Sequence, residues 1–454
     1  MMNAELKPHK IKLLHFTFII LHFTFLFSSC SVNNQISKQA NKILLKDTAI
    51  IRGHIGISIY EPATGKYWYN HDADKYFIPA SNTKLFTLYA GMKYLGDSLV
   101  GIKIVEYENK ISLLPTGDPT LLHPDFPKQP VYDFLYSTKK ELWGTADDTH
   151  KVKPYGNGWA WDDYNESYMN ERSMLPIFGN NIVFSGTKND ISYFPAGVVS
   201  LKPGIFSKDG TKGYINKVDR DFYSNKFILH IDGKEKQYVV VPFITSIDLA
   251  FKLLADSLHK NIIPPNTVQP PMNTGEIIKR YKIFSRPTDS LFKPMIHNSD
   301  NFFAEQTLLM AGNELLGYMN DEAMIDTLLK KDLAAVPQKP KWVDGSGLSR
   351  YNLFTPQDFI YILQKMKDEF GLERLKTILP TGGEGTLKNY FRTDSAFIFA
   401  KTGTLSNNCA LSGFLITQKG KLLIFSILAN NYQTGSTPVR TAIENFLQQL
   451  RKKY

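Results

Sequence analysis

Both ends of this 454-residue chain alternate like sheet strands, while the stretch between them has a different texture. From Gly53 to Tyr69, Ile55, Ile57 and Ile59 occupy every second position, and the turn Glu61-Pro62-Ala63-Thr64-Gly65 joins two short runs, as in a half-buried hairpin. Toward the other end, Ile398 to Thr404, Ala410 to Thr417 and Leu422 to Leu428 read as three strands, the last two joined by a tight Lys419-Gly420 turn. A helix follows Pro438, with Val439, Ile443, Phe446, Leu447 and Leu450 on its apolar stripe. A lone hairpin is at best marginally stable in water. The expected architecture is therefore one sheet assembled from both termini and flanked by helices, an α+β fold. The middle of the chain is then an insertion.

After Pro79 the period becomes helical, with Leu85, Leu88, Tyr89, Met92 and Leu95 in register and Gly96 as the stop. From about Asp97 to Pro242 the chain is rich in Asn, Asp, Gly and Tyr, with short alternating runs such as Phe227 to Ile231 before the turn Asp232-Gly233. This reads as a mostly β module of one or two nested units. A helix over Ile247 to Leu258 is expected to return to the main domain, and Pro264-Pro265 and Pro270-Pro271 mark an exposed connection. The expected division is a main domain over 30–96 and 245–454, interrupted by a module over 97–244.

Composition excludes several classes. Hydrophobic content of 43% with 13% aromatics is that of a globular chain. Two cysteines cannot make a disulfide scaffold, and no Cys/His cluster has zinc spacing, so no metal and no cofactor is expected. The formal charge of +10 comes from scattered lysines that match no nucleic-acid module. At the N-terminus, Lys7, Lys10 and Lys12 precede an apolar run from Leu13 to Phe27, followed by Ser28, Ser29 and Cys30. This is a secretory pattern, too short for a transmembrane helix of ~20 residues. Cys30 after two serines also resembles a bacterial lipoprotein box, with Leu26 one position further out than usual and Phe27 in its place. The expectation is export to the periplasm with removal of residues 1–29 and a lipid on Cys30 that holds the chain to a membrane. Ordinary secretory cleavage and an uncleaved anchor stay open.

Three short motifs carry potential chemistry. In Pro79-Ala80-Ser81-Asn82-Thr83-Lys84, Ser81 and Lys84 lie three apart where loop becomes helix, so hydroxyl and amine share a face. A serine needs a neighbouring base to become a nucleophile, and lysine is one when its neutral form is favoured. Alone, Ser81 equally reads as an N-cap. In His297-Asn298-Ser299-Asp300-Asn301, a hydroxyl and a carboxamide stand before an apolar helix, suited to relaying a proton and orienting an amide, or to capping that helix. His297 itself reads as structural. Lys401-Thr402-Gly403-Thr404 ends a strand and fits a carboxylate laid along an exposed edge, or simply a turn.

The order of the three matters more than any one of them. Ser-x-x-Lys, Ser-x-Asn and Lys-Thr-Gly, in this sequence, resemble the set found in penicillin-binding proteins and serine β-lactamases. More narrowly, the chain resembles the D-alanyl-D-alanine carboxypeptidase/endopeptidase family of class C low-molecular-mass penicillin-binding proteins, peptidase family S13. Gly117-Asp118-Pro119-Thr120-Leu121 and Gly158-Trp159-Ala160-Trp161-Asp162-Asp163 look like segments of that family's inserted module. The stretches Asp344-Gly345-Ser346-Gly347-Leu348-Ser349-Arg350 and Leu379-Pro380 to Gly385-Thr386-Leu387 resemble parts of its penicillin-binding domain. The wide separation of the first two motifs is a further family trait.

The resemblance implies a penicillin-binding, serine β-lactamase-like domain with Ser81 acylated and Lys84 as its base. It implies that Ser299, assisted by Lys401, passes a proton to the leaving amine and that Asn301 holds the acyl-side amide. Lys401, Thr402 and Thr404 would bind the terminal carboxylate, Gly403 would allow its close approach, and the N–H groups of Ser81 and Thr404 would form the oxyanion hole. Partners are then peptidoglycan peptides ending in D-Ala-D-Ala, or their cross-links, and β-lactams as covalent inhibitors. Proximity of Lys401 is expected to depress the Lys84 pKa. Trp159 and Trp161 read as module packing. A serine β-lactamase is the enzymatic alternative, with Glu171 in a poor match to the class A deacylating pattern because Met174 stands where Leu belongs. A catalytically silent cell-wall-binding lipoprotein is the other.

Overall fold

The computed structural model describes residues 32–147, 149–187, 189–199, 204–206, 213–265 and 276–454. The expected leader over 1–29, Cys30 and Pro270-Pro271 lie outside the described residues. The N-terminal pattern folds as the hairpin β1 (His54–Glu61) and β2 (Lys66–His71). The segment after Pro79 opens with a 3-10 turn, Ala80–Thr83, and only then becomes the α-helix Lys84–Tyr94. Its apolar stripe is wider than the sequence periodicity predicts. Every residue from Lys84 to Met92 is buried, because this helix runs through the middle of a core rather than along a surface.

The chain then enters β3 (Ser98–Glu106), β4 (Lys110–Pro115) and β5 (Glu141–Gly144). A second sheet follows, built from β6 (Asn181–Thr187), β7 (Asp190–Phe194), β8 (Gly204–Phe206), β9 (Tyr214–Arg220), β10 (Phe227–Gly233) and β11 (Val239–Pro242). The short β12 (Ile262–Ile263) and the long β13 (Lys279–Pro287) complete the first of these sheets, in the order β12-β5-β4-β3-β13. Ile102, Leu113, Phe184 and Ile231 share one core between the two sheets.

Here the structure departs from the sequence expectation. The helix Ile247–Leu258 does not return to the main domain: Phe251, Leu254 and Leu258 bury in the module core. The module sheet closes only with β13, whose Ile283 pairs with Ile102 of β3. An amphipathic pattern states that a face is buried, not which sheet buries it.

The C-terminal strands are β14 (Ile398–Leu405), β15 (Asn408–Ile416) and β16 (Leu422–Asn430). They join the hairpin in an antiparallel sheet of order β14-β15-β16-β1-β2, with Ile57 opposite Ile427. Ile55, Ile57 and Ile59 all enter the core on the side covered by the C-terminal helix Ser436–Lys453, together with Ile443, Phe446 and Leu450. On the other face the helix Pro356–Phe370 lies against the strands through Phe359 and packs beside the Lys84–Tyr94 helix and its Phe86. The helices Asp289–His297 and Asn301–Leu316 pack in turn on the Lys84–Tyr94 helix through Phe292 and Phe303. Strand β14 lies at the sheet edge. Residues 380 and 381 cover its first half, through Ala400 N–H donating to the Pro380 carbonyl and a bridge between Thr381 and Phe399.

Candidate active site

Ser81 sits in the 3-10 turn and makes no capping bond, so the capping role is not the one it plays. The turn is held from three sides. Asn82 Nδ2 donates to Ser412 Oγ at 2.7 Å, and Thr83 Oγ1 donates to the Ala80 carbonyl at 2.9 Å. From above, Gly347 presses on the turn: a Cβ there would lie 2.0 Å from the Ala80 carbonyl oxygen, and its φ of +85° is glycine territory. Ala80 and Ser299 also take left-handed φ, 49° and 58°. Strained backbone of this kind collects at functional sites.

Lys84 is fully buried, and its ammonium donates three hydrogen bonds: to Ser81 Oγ at 3.0 Å, Asn301 Oδ1 at 2.7 Å and the Ser346 carbonyl at 2.6 Å. Burial pulls its pKa down to about 8, against the opposing pull of Asp344, Glu305 and Asp300. Lys401, also fully buried, donates to Ser299 Oγ at 2.9 Å and to the Thr402 carbonyl at 2.8 Å. Its pKa falls well below the usual lysine range, first through burial and then through the charges of Lys84 and Arg440. The two-lysine repulsion expected from sequence thus registers on Lys401, while desolvation governs Lys84. Asn301 opens the helix Asn301–Leu316, but Asp300 is its N-cap, accepting from Phe303 N–H at 2.8 Å. That leaves Ser299 and Asn301 free to face the lysines.

Gly403 explains how the strand reaches Ser81. A Cβ at Gly403 would lie 2.5 Å from the Pro79 carbonyl oxygen and 3.1 Å from Ser81 N, so only a bare backbone passes. Thr402 and Thr404 point to the opposite side of β14 from Lys401, as strand alternation requires. Thr402 is buried, and Thr404 is exposed at the rim of a cleft of about 760 Å³. Ser81, Ser299, Asn301 and Thr404 line one side of this cleft and Trp159, Asp163 and Tyr168 of the inserted segment line the other. Its size suits a peptide-sized ligand.

Several contributors escape the motif reading. Asp344, with its side chain wholly buried, folds the Asp344–Arg350 loop around its carboxylate: Gly347 and Ser349 N–H groups and Asn352 Nδ2 donate to it, as does Trp159 Nε1 at 2.9 Å. This loop presents the Ser346 carbonyl to Lys84. Glu305 fixes the same loop by accepting from Ser346 N–H at 2.7 Å. Burial first and Asp344 second push the Glu305 pKa up to about 7. Arg172 of the inserted segment reaches across to Glu305 at 3.3 Å and Asp321 at 2.5 Å, and donates to the Lys153 and Tyr155 carbonyls. A continuous path therefore runs from the module through Arg172, Glu305 and Ser346 to the amine beside Ser81. Arg172→Ala strands two buried carboxylates, which typically costs about 3–5 kcal/mol. The expected result is a clearly lowered melting temperature in a thermal denaturation scan, together with slower acylation of Ser81.

Trp161 is 74% exposed, which overturns its expected place in module packing. Trp159 is a cleft wall, with the Arg172 guanidinium 5.7 Å from its ring centre. His297 makes no bond to the lysines or serines of the site, and burial lowers its pKa. Glu171 faces Thr245 N–H and the Tyr155 hydroxyl rather than Ser81, so it does not stand where a deacylating base would.

A buried lysine of lowered pKa on a serine, a second lysine on a second serine and an open strand edge beside them define a serine hydrolase of the penicillin-interacting class. Residues 36–453 match the D-Ala-D-Ala carboxypeptidase 3 (S13) family, and the chain belongs to that family. It is 26% identical over 450 residues to a D-alanyl-D-alanine carboxypeptidase of Actinomadura sp., covering 87% of this chain and 81% of that one. Similarity to the D-alanyl-D-alanine carboxypeptidase DacB of Haemophilus influenzae is also 26%, over 436 residues, covering 85% and 87%. Penicillin binding protein 4 of Haemophilus influenzae shares the fold, with a TM-score of 0.70 at 19% identity and coverage of 92% and 99%.

Proposed function

We propose that this enzyme removes the terminal D-alanine from peptidoglycan stem peptides through an acyl-enzyme on Ser81. The observation that carries the reading is the 3.0 Å contact between Lys84 Nζ and Ser81 Oγ, made by a lysine whose pKa is pulled to about 8. Neutral Lys84 takes the Ser81 proton as Oγ attacks the carbonyl of the penultimate D-alanine. The N–H groups of Ser81 and Thr404 receive the developing oxyanion, an interaction whose loss typically costs roughly 3–4 kcal/mol. Ser299, in contact with Lys401, passes a proton to the amine of the departing D-alanine. The proton that Lys84 took from Ser81 replaces, by way of Lys401, the one Ser299 gave up, so Lys84 is neutral again. It then takes a proton from the water that attacks the ester and hands it to Ser81 Oγ as the acyl bond breaks. Asn301, oriented by Lys84, holds the acyl-side amide. If the departing amine belongs to a cross-link instead of free D-alanine, the same steps make the enzyme an endopeptidase. Export to the periplasm and a lipid on Cys30 belong to the same reading and rest on the N-terminal sequence alone.

The test is incubation with a soluble stem pentapeptide and, separately, with a fluorescent penicillin. Released D-alanine and a penicillin adduct that survives on a denaturing gel are the expected results. Folded protein that neither releases D-alanine nor takes the label overturns the proposal. Rapid penicillin turnover would transfer the chain to the β-lactamases; the remoteness of Glu171 from Ser81 argues against that outcome.

A further inference from the structure

Arg350 is the fixed cation among the described cleft-lining residues, and its Nη1 donates to the Ser406 carbonyl rather than to the Thr404 hydroxyl. Lys401 Nζ is engaged with Ser299 Oγ and the Thr402 carbonyl, where the proton relay needs it. Its depressed pKa makes it a poor permanent cation. Lys84 is enclosed by three acceptors. Thr404 offers only a neutral hydroxyl at the cleft rim.

A cation does reach that hydroxyl from behind the strand. Arg440, early in the C-terminal helix, donates from Nη2 to Thr404 Oγ1. Its guanidinium stands 5.7 Å from the Tyr390 ring centre and lines a small cavity with Thr402 and Cys409. The side chain is partly buried, and no carboxylate is recorded within ion-pairing distance of it among the described residues. Arg172, Arg374 and Arg451 have acidic partners, whereas Arg350 at the cleft, like Arg440, bonds a neutral oxygen, the Ser406 carbonyl. A guanidinium is always charged and presents a planar fork that matches a carboxylate. Residues 380 and 381 cover β14 only as far as Ala400, so the hydroxyl that Arg440 holds belongs to the uncovered half of the edge strand.

We propose that Arg440 is the specificity residue for the substrate's terminal carboxylate, acting at the Thr404 hydroxyl, and that Lys401 is released for proton transfer. This rests on the carboxypeptidase reading and assigns the counter-charge within it. The carboxylate of the outgoing D-alanine, or that of a β-lactam, completes an ion pair that the free enzyme lacks.

The experiment compares a peptide ending in D-Ala-D-Ala with the same peptide ending in D-alaninamide, for wild type, Arg440→Ala, Arg440→Gln and Arg440→Lys. Hydrogen bonds to charged groups support an expected loss of about 10- to 100-fold in kcat/KM on the acid for the Ala and Gln variants. The amide, already a poorer substrate of the wild type, should change by less than about threefold, and the Lys variant should recover part of the loss on the acid. Equal losses on both peptides, with a lowered melting temperature, would make Arg440 a tether for the helix and overturn the assignment; so would no loss on either. The Gln variant keeps a donor for Thr404, which separates charge from packing. Acylation rates by benzylpenicillin and by its methyl ester give the same comparison without peptide hydrolysis. If wild type releases no D-alanine, the hydrolase reading falls while this second arm still judges Arg440.

Discussion

Ser81→Ala is expected to eliminate labelling by fluorescent penicillin and to cut D-alanine release by at least about 10⁴-fold, the scale seen when a catalytic nucleophile is removed. The fold should survive, because the Ser81 side chain supports nothing else: the turn is held by Asn82, Thr83 and the Gly347 backbone. The measurement is adduct mass by intact-protein spectrometry, with circular dichroism to show that the variant is folded. An adduct of unchanged mass and rate on the Ala variant would remove Ser81 from the chemistry altogether.

Lys84→Met should slow acylation by about 10²- to 10⁴-fold, the usual range for loss of a general base. Its pH dependence is the sharper reading. The base must be neutral, and burial places its pKa at about 8, so wild-type acylation should climb as pH rises through that value and level off above it. Lowering the pH protonates Lys84 and removes the acceptor for the Ser81 proton. The Met variant should lose this limb as well as the rate. A wild-type profile flat from pH 6 to 9, or a Met variant that keeps the climb, would assign the proton transfer to another group.

The five residues that converge at the cleft were legible because each motif is local: three residues fix the geometry of Ser81 to Lys84, and two fix Ser299 to Asn301. The sheet was legible for the same reason, since the isoleucines of β1 and the runs at 398–428 announce their period. What was hidden comes from pairings over long sequence distances. The Ser346 carbonyl meets Lys84 from 262 positions away, and Asp344 acts by organising a loop that by itself reads as a turn. Glu305 did leave a trace, as an acid placed four residues after Asn301 in the apolar run Phe302-Phe303-Ala304, a position where a buried charge needs a partner. Arg440 left none, because Pro438 to Glu444 reads as an ordinary helix start. The helix Ile247–Leu258 shows the opposite failure: its pattern was clear, but its destination was not.

The arginine that joins the two halves has an implication for anyone wishing to shrink this molecule. Excising the insertion and splicing Gly96 to Asp289 looks feasible on the central sheet alone, since none of its strands comes from the removed stretch. Such a minimal version would nonetheless carry two interior acids stripped of their cation, one of them the acid that holds the loop over its reactive amine. The apparent appendage is thus a keystone, and a miniaturised catalyst would have to redesign positions 305 and 321 before it could dispense with it.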